Sequence, residues 1–242
     1  MRNIRIAAVN ICRFILAATF IFSGYVKAID PLGTLYKLKD YAAAIALNDI
    51  LPDWALVIVA IALGALEFSL GVFMLFAVRR HMVSKLTLAL MSVMTALTVW
   101  IYIADPVKDC GCFGDALKLT NGETLLKNIV LIACATLVAW RPADMARFIS
   151  RTNQWIVRYY TITYIVVTSV YCLYTLPIFD FRPYRVGTNI KQGMEIPEGA
   201  EQPEFESTFI LRKNGVTREF TLDNYPDSTW EYVDTKTVQT KK

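Results

Sequence analysis

Cys110 and Cys112, separated by a single glycine, are the residues of this chain best suited to covalent chemistry. Thiol–disulfide exchange needs two sulfurs able to approach to about 2 Å, with Cα atoms roughly 4.4–6.8 Å apart. Residues two apart meet that condition only if the backbone between them bends, and Gly111 is the residue that bends most freely. A bond closed over so small a ring is strained, and strained disulfides are more readily reduced and more often catalytic than structural ones. Asp109, Phe113 and Gly114 complete the motif DCGCFG. A plain local staple, or two free thiols in a turn, is the alternative reading.

The rest of the sequence is a frame for that loop. Of the 242 residues, 55% are hydrophobic, and the mean hydropathy is +0.40, which marks a membrane protein. Apolar stretches over 6–28, 54–78, 82–104, 121–140 and 156–177 are each near the ~20 residues that cross hydrocarbon as a helix. The first lacks a short apolar core followed by a small-residue cleavage site, so it reads as a retained anchor. The expected fold is therefore an all-α membrane protein: a transmembrane four-helix bundle over 1–140, a cytoplasmic loop and fifth transmembrane helix over 141–177, and a periplasmic tail over 178–242.

Short basic loops stay cytoplasmic. Arg2, Arg5, Arg79, Arg80, Arg141, Arg147 and Arg151 lie on one side with a single acid, Asp144, whereas Asp30, Asp40, Asp53, Asp105, Asp109, Asp115 and Glu123 crowd the other. The amino terminus is expected inside and the cysteine loop outside, which in a bacterium is the periplasm, where disulfides persist. Trp54, Tyr102 and Tyr174 at outer ends, with Trp140 and Trp155 at inner ends, fit the aromatic belts.

Local signals refine the picture. Residues 34–47 have helical apolar spacing and predict a short helix on the outer surface, either a plain connector or a lid. Asp105 and Pro106 end the third span. Thr120 and Glu123 fit a capping box that starts the fourth, placing its positive dipole end beside the cysteine loop. Alternation over 205–213 and 216–222 around Asn214 and Gly215 predicts a hairpin, with a third strand near 230–233. Residues 193–203 read as an irregular linker.

Glu67 sits inside the second span, where a carboxylate needs a reason. Arg13 in the first span is the expected partner, and the pair reads either as a proton or ligand site or as a structural ion pair. Lys27 and Lys127 at outer helix ends read as solvated anchors, with thiolate stabilisation as the alternative. Cys12, Cys134 and Cys172 are expected at three different depths as packing residues, giving no second dithiol. One histidine, His81, excludes His-rich metal sites and bis-His haem ligation. The modest net charge of +4, gathered at span ends, gives no nucleic-acid stripe.

Residues 12–30 (CRFILAATFIFSGYVKAID), 66–71 (LEFSLG) and 109–115 (DCGCFGD) resemble the DoxX-like and methylamine-utilisation MauE-like family of small bacterial membrane proteins, over roughly residues 1–140. The resemblance implies an inner-membrane bundle serving thiol–disulfide chemistry or quinone-linked oxidation of sulfur compounds, beside a thioredoxin-like periplasmic partner. It makes Cys110 and Cys112 the redox pair and Glu67, Arg13 and Lys27 characteristic bundle positions. It implies quinone as the electron acceptor; the single histidine gives the expectation of no metal and no haem. The run 180–189 (DFRPYRVGTN) resembles a subgroup in which this segment leads to a thioredoxin-like domain, here expected as a separate protein or lost by truncation. A thiol–disulfide oxidoreductase, or its membrane subunit, is the leading expectation. A non-catalytic assembly protein and a small-molecule transporter built on Glu67 are the alternatives.

Overall fold

The computed structural model describes residues 2–44, 52–105, 107, 110–182, 185, 187–189, 191, 205–213, 216–221, 224, 226 and 229–239. Six α-helices and three strands follow in order: α1 (Arg2–Ile29), α2 (Pro31–Ala44), α3 (Asp53–Leu75), α4 (Arg80–Ala104), α5 (Asn121–Trp140), α6 (Gln154–Tyr174), β1 (Phe205–Lys213), β2 (Val216–Phe220) and β3 (Glu231–Gln239). Five of the helices, all but α2, are long and apolar enough to cross a membrane. Residues 2–188 form one unit and residues 189–239 a second.

In the first unit α1 is the central helix, packed against α3, α5 and α6, while α4 packs on α5. Lipid is as apolar as leucine, so close backbone approach rather than water exclusion must hold such helices together. Glycines supply that approach on α1 and α3. A Cβ on Gly24 would run into the backbone of Gly64 and Phe68, and one on Gly71 would press on Ile21 and Ala17. These contacts fix the antiparallel register, with Lys27 beside Gly64. Asp53, eleven residues before Gly64, therefore starts α3 well beyond the level of Lys27. An apolar core of Val9, Leu16, Phe20, Leu70, Met74, Leu131 and Val138 fills the space between α1, α3 and α5.

The capping box is present: Glu123 N–H donates to Thr120 Oγ1, and Thr120 N–H donates to the Glu123 carboxylate. Asp105 ends α4 in the left-handed conformation at φ 44°. Asn121 Nδ2 donates to Asp105 Oδ1 and to the Val107 carbonyl, tying the end of α4 to the start of α5. Pro106 and Asp109 lie outside the described residues. The surface helix begins three residues before its expected start, at Pro31, and residues 45–47 of the expected helix are outside the described residues.

The second unit holds a three-stranded antiparallel sheet in the order β2, β1, β3. Phe209 faces Phe220 and Leu211 faces Arg218 across the hairpin, and a register shift lies between Ile210 and Leu211 on the β3 side. Leu211 is buried. Phe220 packs edge-on against Trp230 at 5.0 Å. The Asn214 and Gly215 turn and the 193–203 linker lie outside the described residues. β3 runs to Gln239, longer than the four residues the alternation predicts, because it pairs with β1 along its whole length.

The glycine seam has a direct test. Gly24→Ala forces the two backbones apart and should lower stability by about 1–3 kcal/mol, the usual cost of overpacking. Gly122→Ala, whose Cβ would meet only Tyr102 at 3.7 Å, should leave it unchanged or slightly higher. Thermal unfolding of the detergent-purified full chain reads both.

Candidate functional site: a clamped cysteine loop on a buried ion pair

The loop between α4 and α5 folds inward onto α1 and α2. Gly111 at φ 64° and Gly114 at φ 52° adopt left-handed backbone that L-residues with side chains avoid. Gly114 N–H donates to the Gly111 carbonyl and Ala116 N–H to the Phe113 carbonyl, giving two successive turns. This bend brings the sulfurs of Cys110 and Cys112 to 2.9 Å, as a hydrogen-bonded pair of free cysteines. Both residues are buried, at 6% and 8% exposure. The loop is thus covered, not displayed as an open outer turn.

Three side chains hold the loop by its carbonyls. Tyr41 on α2 donates its hydroxyl to the Cys110 carbonyl at 2.7 Å. Ser23 and Lys27, one helical turn apart on α1, both donate to the Cys112 carbonyl, at 2.6 and 2.8 Å. Lys27 also donates to Glu67 Oε2 at 2.7 Å, and Ser23 Oγ lies 2.7 Å from the same oxygen. The Lys37 side chain on α2 lies against Gly111. Phe113 wedges between helices, 5.4 Å from the Phe22 ring and 4.2 Å beneath the Lys127 ammonium.

Two sequence expectations change here. Lys27 is not a solvated anchor: it is buried, and it forms the ion pair with Glu67, both side chains 5% exposed. Nor is Arg13 the partner of Glu67. Arg13 is fully buried, donates to the Ala146 carbonyl and lies over the Phe14 and Phe148 rings at 4.6 and 4.9 Å. It braces the loop between α5 and α6 at the opposite end of the bundle. Pairing Glu67 with Arg13 placed both residues in the inner half of two adjacent antiparallel helices. The glycine seam sets α3 so that Glu67 meets the outer part of α1.

The remaining cysteines also separate from expectation. Cys134 and Cys12 sit within side-chain reach of each other in the core between α5 and α1, so their depths are not distinct. Cys172 is buried on α6 beside Tyr25. Ser23, Tyr41 and Lys37 were not singled out by sequence reasoning. The signal available for Ser23 was its spacing, since residues four apart share a helix face.

The electrostatics divide the two thiols. Cys110 is pushed down to about 6, chiefly by the hydrogen bond from Cys112, helped by Tyr41 and by the charges of Lys127 and Lys27 against the cost of burial. Cys112 is pushed well up by its bond to Cys110, by burial and by the charge on its neighbour. One thiolate and one thiol sharing a proton is the state in which one sulfur is nucleophilic or a good leaving group.

A narrow crevice opens beside Cys112, lined by Ser23, Glu67, Met91, Met94, Lys127 and Asn128, with about 30 Å³ of free space, room for one water. A second lies over the loop between α2 and residues 177–182, where Arg182 pairs with Asp180 at 2.7 Å. Among the described residues no cluster of His, Cys, Asp and Glu is arranged to hold a metal ion.

A multi-pass helical membrane protein with a dithiol loop seated on a buried ion pair is the class that this fold and site define. The family model described as methylamine utilisation protein MauE matches residues 5–141, and the chain belongs to that family. A domain of unknown function, DUF8463, matches residues 205–242, the stretch that contains the sheet. No curated protein and no solved structure matches the chain.

Two measurements test the site. The rate of Cys110 alkylation in the reduced protein should rise with a midpoint near pH 6, and Cys112→Ala should move that midpoint up toward 9.0, the ordinary thiol value. Peptide mapping after timed labelling reads it. Separately, Lys27→Met or Glu67→Gln alone should each cost about 3–5 kcal/mol by stranding the other charge. The double variant should cost much less than the sum, as read by unfolding in a double-mutant cycle.

Proposed function

We propose that this protein is a membrane thiol–disulfide oxidoreductase, or the membrane subunit of one, with Cys110 and Cys112 as its redox pair. The observation that carries this reading is the 2.9 Å approach of two unequal thiols, one pushed down to about 6 and the other raised, in a loop held by its carbonyls. The proposed setting is the bacterial inner membrane, with the amino terminus cytoplasmic and the cysteine loop in the periplasm. The proposed partner is a thioredoxin-like protein carrying a dithiol.

In the oxidised state a partner thiolate attacks one sulfur of the bond between Cys110 and Cys112. The depressed pKa makes Cys110 the better leaving group, so attack falls on Cys112. The partner's second thiol then resolves the mixed disulfide. The partner loses two electrons and two protons; Cys112 ends as a thiol and Cys110 as a thiolate, the second proton passing to solvent. Reoxidation passes the two electrons to an acceptor with two protons, one of them taken back from solvent. Lys27 and Lys127 stabilise the Cys110 thiolate between the half-reactions. Glu67 lines the crevice beside Cys112, and its ion pair with Lys27 keeps the ammonium against the loop.

A membrane quinone is the proposed acceptor, because when bound it takes up two electrons and two protons. A quinone ring does not fit the crevice beside Cys112 at about 30 Å³. Met91 and Met94, which line it, are unbranched and flexible enough to give way. Access for a partner requires a comparable movement: α2 covers the loop through Tyr41 and Lys37, which favours the lid reading of this helix.

The burial of both sulfurs favours a second reading, an assembly protein in which the cysteine loop is a local staple. Titrating the two thiols of the full chain in membranes against a graded thiol–disulfide buffer separates the two. A reversible two-electron transition between about −120 and −230 mV is expected for a catalytic pair. Resistance to reduction below about −300 mV, as for a structural staple, or thiols that never pair, would favour the assembly role instead.

A further inference from the structure

At the end of the bundle opposite the cysteine loop, the turn between α3 and α4 reverses the chain through two left-handed residues, Ala77 at φ 52° and Arg79 at φ 39°. That reversal, together with residues 147–154, borders an open basin of about 450 Å³ lined by Arg79, Arg80, His81, Arg147, Arg151 and Gln154. Arg79 and Met82 also line an adjoining groove of about 340 Å³. The groove runs along α3, α4 and α6 between Leu66, Phe73, Leu86 and Ile162, with Arg158 at its rim.

The charge in the basin is only partly balanced by protein, through Asp144, which lies close enough to act on Arg80. Arg147 and Arg151 are close enough to press like charge on Arg80. The acid at this end, Asp144, is engaged by Arg5 at 2.8 Å. Arg80 spends Nη1 on the carbonyls of Ala143 and Met145. Its Nε and the Nε of Arg158 are buried without a hydrogen-bond partner. A cytoplasmic excess of arginine suffices to orient a membrane protein, but orientation does not require that the arginines line one basin continuous with an apolar groove.

We propose that the basin and groove together form a binding site for one anionic glycerophospholipid of the surrounding bilayer. The phosphate sits among Arg79, Arg147 and Arg151, and an acyl chain lies in the groove past Leu66 and Leu86. Charge complementarity selects the head group, since guanidinium groups bind phosphate through paired N–H donors. Basic pockets between spans on the basic side are where such head groups bind. The groove opens on faces that already meet lipid: Leu66, Met82 and Leu86 are all exposed in the bundle. This site is independent of the thiol chemistry proposed above.

The test uses the delipidated full chain in detergent and counts bound molecules by native mass spectrometry. Dioleoyl phosphatidylglycerol, dioleoyl phosphatidylcholine and glycerol 3-phosphate are added in turn. One phosphatidylglycerol should be retained under activation that strips phosphatidylcholine, and glycerol 3-phosphate should not displace it. The variant R79Q/R147Q/R151Q should bind phosphatidylglycerol about a hundredfold more weakly, at roughly fivefold per arginine. Its Cys110 and Cys112 titration should match that of the unmodified chain, which shows that the fold is kept. Equal retention of the two lipids, displacement by glycerol 3-phosphate, or unchanged affinity in the folded triple variant would each overturn the proposal. Selective uptake of a quinone in place of lipid would do the same.

Discussion

A lysine ammonium removed from water is the constraint on which the site depends. Lys27 has three donors to satisfy and finds the Glu67 carboxylate, the Ser23 hydroxyl and the Cys112 carbonyl. None of these can be withdrawn cheaply, because an unpaired charge at this depth costs far more than the pair contributes. The ion pair therefore acts as a seat. It requires α1 and α3 at one register, and it requires the cysteine loop to deliver a backbone oxygen to one point. Gly24, Gly64 and Gly71 permit the first requirement, and the left-handed turns at Gly111 and Gly114 permit the second.

The motif explains itself around that seat. Gly111 places the two sulfurs together while its neighbours' carbonyls turn toward Tyr41 and Lys27. Phe113 supplies a ring that Lys127 covers and Phe22 supports. Gly114 passes so close to Val26 that a Cβ there would stand 3.1 Å from it. The cysteine pair is thus held from both sides through its backbone, with the two sulfurs hydrogen-bonded to each other.

Much of this was legible in the sequence. Apolar length marked the five spans, the Thr120 and Glu123 spacing marked the start of α5, and alternation marked the sheet. Each of these is a local property, decided within one turn or one strand. Partners across the bundle were not legible in the same way. Glu67 was assigned to Arg13 because both are ionisable and sit in neighbouring spans, yet helix register is set by where small residues allow contact. Lys27 at the end of an apolar run resembles any snorkelling lysine. Only the inward fold of a loop more than eighty residues later makes it a buried one. Tyr41 escaped notice because a single tyrosine on an amphipathic helix has many ordinary uses.

The glycine seam also has a mechanical meaning. Two helices in backbone contact, locked further by a buried ion pair, cannot slide or part without breaking both, so α1 and α3 behave as the stator of this molecule. A displacement that exposed the sulfurs would be carried by parts outside that stator. These are α2, which meets the loop through the Tyr41 hydroxyl and the Lys37 stem, and the methionine-lined flank of α4. Movement of the first would open the loop outward, and movement of the second would open it sideways into the hydrocarbon.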